Sequence, residues 1–379
     1  MRGLPVRPIV IAAGGTGGHF FPAEALASEL IARGHRIALM TDARSGGLQS
    51  EVFAGHETFV LRGAGIAGRG VLRAVPAALA LAAGTAQARN VLSTLNAAVI
   101  VGFGGYPCVA PVLASRLIRR RAAVVLHEQN AVLGRANRAL ARFADQLALG
   151  MDGTTRLPVG TATAVTGNPV RPAVRANAGL GYTPPTVDGL INLLVIGGSQ
   201  GARVFSDAIP KTIALLPDDL RARLRIVQQC RPEDLDRVRA AYAAQAIHAE
   251  LAAFFPDIAA RLAAAHFVVA RAGASTVAEL CAVGRPALLV PLPGSIDQHQ
   301  AHNAKASGAD VLQQAEFEAN PQALADALAA CLPFPGLLAE KAQLVARAGI
   351  PNAAARLASL VEQMARSHQP PAVKLGVRA

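Results

Sequence analysis

Two glycine-rich turns carry the residues best suited to phosphate chemistry. The first runs from Gly14 to His19 and the second from Gly197 to Arg203, and each follows a run of apolar residues typical of a buried strand. A strand, a glycine turn and a helix in succession point backbone N–H groups and a helix N-terminus at one spot, which attracts phosphate. Because the turns lie about one domain length apart, they predict two Rossmann-like halves that face each other with the substrate between them.

His19 is the candidate catalytic residue of the first turn. It stands where the predicted helix begins, and the positive end of a helix dipole lowers the pKa of a histidine. A neutral imidazole there can act as a general base, or it can simply cap the helix. The turn lacks the third glycine of a dinucleotide fingerprint, whereas Asp42 does end the next strand, so a dehydrogenase interpretation is weakened but not excluded.

The second turn offers amides and the Ser199 hydroxyl to a diphosphate. It also fails the dinucleotide spacing, and the chain has no P-loop motif. Farther along, the small residues from Ala272 to Thr276 lead into a predicted helix, with Glu279 about one turn inside it. One carboxylate can accept hydrogen bonds from both hydroxyls of a ribose, although a lone glutamate in the first turn more commonly stabilises the helix dipole.

Two polar segments follow other buried strands. Asp297 to Ala304 is dense in amides and imidazoles that suit sugar hydroxyls, and ligand crevices lie at the carboxyl ends of such strands. Its histidines match no usual metal-ligand spacing, so we expect no metal ion and no cofactor. His127 and Glu128 follow another strand and are conceivable as a catalytic pair, although adjacent residues on a loop seldom point the same way.

The composition indicates a folded two-domain protein that binds anions. The 379 residues are 52% hydrophobic and 16% charged, which excludes a disordered chain and suffices for two cores. The formal net charge of +12 predicts binding to nucleotide, nucleic acid or an acidic membrane, or else a general arginine bias. Scarce aromatics and the absence of tryptophan argue against single-stranded nucleic acid. Four widely spaced cysteines fit free thiols in a reducing compartment.

Apolar strands alternate with helices along both halves, which predicts an α/β protein whose parallel sheets are covered on both faces. Strands are expected over residues 9–13, 36–40, 58–61, 97–101, 122–126, 146–149, 164–166, 193–196, 224–228, 250–252, 267–270, 286–290 and 311–312, and a helix over 22–33. Residues 172–189 are rich in Pro, Gly and Asn and predict a linker. The spacing of Leu357, Leu360, Val361 and Met364 predicts one apolar helical face near the end.

Two arginine-flanked apolar segments predict contact with an anionic membrane surface. Arg69, Arg73 and Arg89 flank residues 71–83, and four arginines between Arg116 and Arg121 adjoin apolar side chains. Basic residues beside apolar surface attract anionic lipid, while a solvated helix face is the alternative. No apolar stretch is long enough to span a bilayer and no signal-peptide pattern precedes the first strand, so we expect a cytoplasmic protein.

Taken in order, seven segments resemble the pattern of the bacterial peptidoglycan N-acetylglucosaminyltransferases, the undecaprenyldiphospho-muramoylpentapeptide beta-N-acetylglucosaminyltransferases. They are Gly14–Pro22, Gly102–Tyr106, His127–Asn130, Gly167–Arg171, Gly197–Arg203, Arg271–Glu279 and Asp297–Ala304. The resemblance implies a GT-B fold, with two Rossmann-like domains facing across a cleft. We expect residues 1–171 to form an acceptor and membrane domain, completed by a C-terminal helix at about 350–367. Residues 172–349 would form the UDP-GlcNAc-binding domain, and residues 368–379 a flexible tail.

The same resemblance implies an inverting transfer of N-acetylglucosamine from UDP-GlcNAc to the C4 hydroxyl of MurNAc in lipid I, which gives lipid II in peptidoglycan synthesis. It implies a peripheral enzyme on the cytoplasmic face of the cell inner membrane. The expected partners are UDP-GlcNAc, lipid I, the anionic membrane surface and other cell-wall synthesis proteins, but no nucleic acid. Two other classes stay open: a UDP-GlcNAc epimerase or NAD-dependent enzyme of the same fold, and a non-catalytic nucleotide-binding membrane adaptor.

The resemblance also assigns roles to individual positions, with His19 as the catalytic residue. The implied UDP-GlcNAc-binding residues are Thr16, Gly17, Gly18, His19, Asn130, Arg171, Ser199, Gly201, Phe255, Ala274, Ser275, Glu279 and Gln300. Within this set, Phe255 would bind uracil through its backbone, Glu279 would bind the ribose, and Thr16 and His19 would face the acceptor. The acceptor diphosphate would lie against Gly14, Gly15, Gly104 and Gly105.

Overall fold

The computed structural model describes residues 7–15, 17–43, 50–62, 71–198 and 201–368, with the backbone alone for residues 71–75. Its strands are β1 Ile9–Ala12, β2 Ile37–Asp42, β3 Glu57–Leu61, β4 Val99–Gly102, β5 Ala123–Glu128, β6 Gln146–Leu149, β7 Thr163–Val165, β8 Ile191–Ile196, β9 Leu224–Gln229, β10 Ala249–Ala252, β11 Phe267–Ala270, β12 Ala287–Leu289 and β13 Asp310–Val311.

The helices alternate with these strands. They are α1 Gly17–Ala32, α2 Val71–Leu95, α3 Val109–Ser115, α4 Arg135–Leu140, α5 Pro172–Arg175, α6 Arg203–Ala214, α7 Asp218–Ala222, α8 Leu235–Ala243, α9 Ile258–Ala264, α10 Ala274–Val283, α11 His299–Ala306, α12 Gln314–Ala319, α13 Gln322–Ala329, α14 Pro335–Arg347 and α15 Ala353–Ser367.

The first sheet joins seven strands in the order β3-β2-β1-β4-β5-β6-β7, and all neighbours run parallel. Ile9 of β1 pairs with Ile37 on one side and with Val99 on the other. The strands β1, β2, β4 and β5 are buried along their whole length, which is why their sequences are continuous apolar runs rather than alternating ones. The strand order reverses between β1 and β4, where open α/β sheets bind ligands.

The second sheet joins six parallel strands in the order β10-β9-β8-β11-β12-β13. Its order reverses between β8 and β11, so each of the two glycine turns follows a strand at a switch point. The predicted α/β architecture with two Rossmann-like parallel sheets is therefore confirmed. We call residues 7–165 together with α15 the first lobe, and residues 191–347 the second lobe.

The last helix belongs to the first lobe, although it follows the second lobe in sequence. It contacts α1, β4 and β5. Leu357 and Val361 are fully buried in the same apolar cluster as Ile11 and Val101 of the first sheet, and Leu360 and Met364 pack at its margin. The apolar face predicted from the spacing of these residues is thus buried against another helix and the sheet.

Most strand ends differ from the sequence prediction by one or two residues, and three differences affect the site or the connection between the lobes. The first helix begins at Gly17 rather than Pro22, because it starts within the glycine turn and tolerates the proline inside it. Strand β5 extends to Glu128, so His127 and Glu128 lie in a strand and not on a loop. The predicted linker begins with the short helix α5, whose first residue is a proline, a residue favoured at that position.

Candidate active site

A cleft of about 1450 Å³ opens between the two lobes, and both glycine turns contribute to its walls. The cleft brings together most of the residues expected from the sequence, namely Gly17, Gly18, His19, Gly104, Gly105, Asn130, Arg171, Gly201, Phe255, Ala274, Ser275, Glu279 and Gln300. Gly14 and Gly15 do not line it, whereas Gly17 and Gly18 of the same segment do. Thr16 and Ser199 lie outside the described residues.

His19 lies in the first turn of α1, against the glycine turn that follows β4. An added Cβ would stand 3.4 Å from His19 Cε1 at Gly105 and 3.6 Å from His19 Cδ2 at Gly104. Both glycines have positive φ, 82° at Gly104 and 68° at Gly105, which other residues adopt only with strain. Gly104 and Gly105 therefore leave room for the His19 imidazole in the wall of the cleft.

The charge state of His19 follows from its surroundings. Burial lowers its pKa, the carboxylate of Glu128 opposes that effect, and His299 of the second lobe adds to it. The lowered pKa expected from the sequence is therefore confirmed in direction, but its main cause is removal of the imidazole from water and not the helix dipole. A neutral imidazole in a cleft can accept a proton from a hydroxyl group.

Glu128 organises the loop beside His19. It is 2% exposed, and its Oε1 accepts hydrogen bonds from the backbone N–H of Asn130 (3.0 Å) and from Asn130 Nδ2 (2.9 Å). Its Oε2 accepts from the Gly134 N–H and from Asn137 Nδ2, both at 2.9 Å. The carboxylate therefore holds residues 130–137 against the cleft. Asn137 was not predicted as a site residue, because its contact with Glu128 depends on how α4 packs beside β5 and no sequence motif marks it.

His127 is a structural residue, which removes the conceivable His127–Glu128 catalytic pair. It is fully buried, its Nε2–H donates to the Gly167 carbonyl (3.0 Å), and its Nδ1 accepts from Gln129 Nε2 (3.1 Å). Burial lowers its pKa to about 4. The two side chains diverge because successive residues of a strand point to opposite faces of the sheet.

Arg171, in the connection between the lobes, pairs with Glu279 of the second lobe. Arg171 Nε donates to Oε1 of Glu279 at 2.7 Å, and its Nη2 donates to Oε2 at 2.8 Å. The Arg171 guanidinium also lies over the Phe21 ring, 5.0 Å from its centroid. Because an ionised carboxylate offers about four lone-pair sites, Glu279 can still accept two hydroxyl hydrogen bonds. The sequence suggested both residues as ligand contacts but not their pairing.

Two helix N-termini of the second lobe open toward the cleft. Helix α6 begins at Arg203, just after Gly201, and α10 begins at Ala274. Ser275, in the first turn of α10, has a buried Oγ without a hydrogen-bond partner in the described part of the chain. Exposed helix N–H groups and an unpartnered hydroxyl are the donors that phosphate oxygens require.

The remaining expected residues complete the second-lobe wall. Gln300 Oε1 accepts the N–H of Leu292 at 3.0 Å, which leaves its amide nitrogen for other partners. Phe255 is 5% exposed, and the Arg261 guanidinium lies 4.3 Å from its ring centroid. The buried Arg271 guanidinium donates to the carbonyls of Val290 and Pro291 at 3.2 Å and so supports the same wall.

Among the described residues, no three His, Cys, Asp or Glu side chains come close enough to hold a metal ion. No helix there combines the length and the apolar character needed to cross a bilayer. The basic run from Arg116 to Arg121 is exposed beside Leu117, which is 55% exposed. Arg69 and the side chain of Arg73 lie outside the described residues.

Family comparisons match both lobes. Residues 9–149 match the glycosyltransferase family 28 N-terminal domain, and residues 192–357 match the glycosyltransferase family 28 C-terminal domain. A protein of Granulibacter bethesdensis named UDP-N-acetylglucosamine--N-acetylmuramyl-(pentapeptide) pyrophosphoryl-undecaprenol N-acetylglucosamine transferase is 60% identical over 361 residues, covering 94% of each chain. A protein of the same name from Rhodospirillum rubrum is 48% identical and covers 96% of this chain and 93% of its own.

Solved structures agree with this grouping. The crystal structure of Acinetobacter baumannii MurG is similar with a TM-score of 0.76 and 26% identity, covering 94% of this chain and 99% of that one. A UDP-GlcNAc 2-epimerase of Neisseria meningitidis has a TM-score of 0.65 at 11% identity, covering 95% and 100%. At such low identity the second similarity shows the shared fold alone.

Proposed function

Because this chain belongs to glycosyltransferase family 28, we propose that it transfers N-acetylglucosamine from UDP-GlcNAc to the C4 hydroxyl of MurNAc in undecaprenyl-diphospho-MurNAc-pentapeptide. The reaction converts lipid I to lipid II in peptidoglycan synthesis and inverts the anomeric configuration. The observation that supports it most is a single cleft lined by His19 from the first lobe and by Ser275 and Glu279 from the second. Such a cleft suits two substrates that meet in the middle.

We assign the donor to the second lobe. Glu279 would accept the ribose hydroxyls, and the backbone near Phe255 would bind uracil. The N-termini of α6 and α10, together with Ser199, Gly201 and Ser275, would hold the diphosphate. Gln300, Asn130 and Arg171 would contact the sugar nucleotide. Fixed amides at a leaving diphosphate stabilise its growing negative charge without reorganisation, which is usually the largest electrostatic contribution to catalysis.

We assign the acceptor to the first lobe, with its diphosphate against Gly17, Gly18, Gly104 and Gly105, since the expected Gly14 and Gly15 do not line the cleft. His19 acts as general base: it takes the proton of the C4 hydroxyl while that oxygen forms a bond to C1 of N-acetylglucosamine. The bond from C1 to the diphosphate oxygen breaks, and UDP leaves with the electron pair. Residues 1–171 with about 350–367 would thus serve the acceptor, and residues 172–349 the donor.

We also propose a peripheral location on the cytoplasmic face of the inner membrane. The exposed basic run from Arg116 to Arg121 beside Leu117 supports it, because each basic residue near an anionic membrane contributes about 1 kcal/mol. The epimerase or NAD-dependent alternative is not favoured, since family membership indicates a glycosyltransferase. The adaptor alternative conflicts with a half-buried, neutral histidine facing the donor wall.

A UDP-release assay with lipid I as acceptor tests the function. We expect UDP release that depends on lipid I, and calorimetry should detect UDP-GlcNAc binding and no NAD binding. His19→Ala should lower turnover about 10²- to 10⁴-fold, the usual contribution of general base catalysis, with UDP-GlcNAc affinity nearly unchanged.

The control is His248→Ala, which removes an exposed histidine of the second lobe that does not line the cleft. It should keep the wild-type rate. Near-normal turnover of His19→Ala would remove His19 as the base, and no release of UDP by the wild-type chain with lipid I would refute the proposed reaction itself.

A further inference from the structure

One aspartate of the second lobe reaches three arginines of the first. Asp297 Oδ1 lies 2.6 Å from Arg156 Nη1, and its Oδ2 lies 2.8 Å from Arg138 Nη2 and 3.8 Å from Arg135 Nε. The Asp297 side chain is only 15% exposed, whereas the arginine side chains are 34% to 70% exposed. The hydrogen bond from Arg156, followed by that from Arg138, holds the pKa of Asp297 below its ordinary value.

The backbone around Asp297 is adapted to this contact. Asp297 and Gln298 both have a φ of 54°, in the left-handed region that residues other than glycine seldom occupy twice in succession. The turn is braced by the Gln298 N–H, which donates to the Ser295 carbonyl at 2.8 Å, and by His299 Nδ1–H, which donates to the Ile296 carbonyl at 2.7 Å. Such conformations persist where surrounding contacts over-determine them.

The same segment meets the first lobe again six residues later. Asn303 is fully buried, and its Nδ2 donates to Asn130 Oδ1 and to the Ala272 carbonyl, both at 3.1 Å. Its Oδ1 accepts the N–H of Ala131 at 2.9 Å. Residues 297–303 are therefore tied to the first lobe at both ends, and Gln300, which lines the cleft, lies between the ties.

We propose that Asp297 is a positioning residue, which docks the Gln300 segment of the second lobe on Arg135, Arg138 and Arg156 and so sets the closed arrangement of the cleft. This inference rests on the proposed function. Asp297 lines the cleft, but this scheme gives it no contact with either substrate. It acts through Gln300 and Asn130, whose approach brings the donor to the acceptor. Without Asp297, three like charges would be left facing the second lobe.

The test is Asp297→Asn, which removes the charge but keeps a residue that tolerates the left-handed backbone. We expect kcat for transfer to fall about 3- to 10-fold, the size expected from losing a few partly exposed charge pairs, while UDP affinity stays within about twofold. Raising the salt concentration from 0.05 to 0.5 M should lower the wild-type kcat toward that of the variant and leave the variant unchanged, because salt screens exposed pairs.

Arg156→Gln and the double variant test the same contact from the first lobe. The two substitutions remove the same ion pair, so the double variant should lose less kcat than the two single losses combined. Glu57→Gln is the matched control: it breaks the exposed pair of Glu57 with Arg36, within the first lobe and at the amino ends of its strands. It should change neither kcat nor its salt dependence.

Amide hydrogen exchange reports the contact without any substrate. In Asp297→Asn, the Ala131 N–H, which is bound to Asn303, should exchange at least several-fold faster than in the wild type. A wild-type kcat and salt profile in Asp297→Asn, or an equal loss of UDP affinity and kcat, would overturn the proposal. An inactive wild-type chain would instead contradict the proposed function, and Ala131 exchange would still decide whether Asp297 docks the segment.

Discussion

His19 and His127 both have lowered pKa values, but their partners give them different roles. His127 has both ring nitrogens hydrogen-bonded inside the first lobe, whereas His19 stands half-buried in the wall of the cleft. Sequence position suggested chemistry for either residue, since both come after a run of apolar residues. Burial and partners decide which residue can meet a substrate.

Protonation of His127 should make stability depend on pH. Its folded pKa of about 4 lies below its ordinary value of 6.5, so below pH 6.5 the unfolded chain binds a proton that the native state does not bind. Stability is therefore fully present above pH 6.5 and is lost as the pH falls toward 4. We expect His127 to account for about 2 kcal/mol of loss between pH 7 and pH 5.

The measurement is urea unfolding of the wild type and of His127→Gln at both pH values. The variant should lose about 2 kcal/mol less than the wild type over this interval, whatever its stability at pH 7. His248→Gln, at an exposed position, should keep the wild-type difference. Equal losses in the wild type and in His127→Gln would contradict this assignment.

Among the elements, the connection after β7 shows why a turn needs glycine. Gly167 has a φ of 84°, and an added Cβ would stand 2.7 Å from Ile350 Cβ and 2.8 Å from Ala353 Cβ. Ala353 is the first residue of α15 and Ile350 lies just before that helix, and the Gly167 carbonyl also accepts the hydrogen bond from His127. The glycine thus permits the chain to leave the first sheet directly under the last helix.

Gly167→Ala should be more costly than an alanine at another left-handed glycine. Gly160 has a φ of 78° with no atom within 4 Å of an added Cβ, so Gly160→Ala tests backbone strain alone, about 1–2 kcal/mol. Gly167→Ala adds crowding against α15 and should lose a further 1–3 kcal/mol, roughly the usual cost of overpacking. Denaturant unfolding of both variants measures the difference in the free energy of unfolding. Equal losses would show that α15 can shift away from an added methyl group at no cost.

On the scale of the whole molecule, α15 makes the two lobes interdependent. The chain builds the first sheet, then the second lobe, and only then supplies the helix that covers the first sheet. The core of the first lobe is therefore incomplete until the chain has returned to it. This order also places Glu362 beside Arg33 and His35 of the first lobe, at 3.1 and 2.8 Å.

Leu357→Ala should accordingly destabilise the first lobe. The side chain is fully buried in the cluster of the first sheet, and removing such a leucine costs about 2–5 kcal/mol. Leu344→Ala is the control, because Leu344 is 51% exposed on α14 and its loss should cost less than about 0.5 kcal/mol. Thermal unfolding compares them, and a similarly small effect of both substitutions would place α15 outside the first core.

The sequence by itself determined the elements and the general chemistry of this protein. Continuous apolar runs specify buried parallel strands because helices cover both faces of such sheets, and the glycine turns specify anion-binding corners because only glycine allows their backbone. These signals are local, so both Rossmann-like sheets were predictable from them, together with His19 and Glu279 as candidate site residues. The ordered set of motifs added the glycosyltransferase resemblance, which implied Asn130, Arg171, Phe255, Ala274, Ser275 and Gln300.

Only the tertiary structure decided which of these residues act together. Arg171 meets Glu279 across 108 positions, and Asn303 meets Asn130 across 173. Asp297 contacts arginines that lie on α4 and between β6 and β7, and no local sequence pattern predicts these contacts. Such pairs arise because the two sheets are docked with their switch points facing the same cleft, and a docking geometry is a property of packed surfaces that no short stretch of residues encodes.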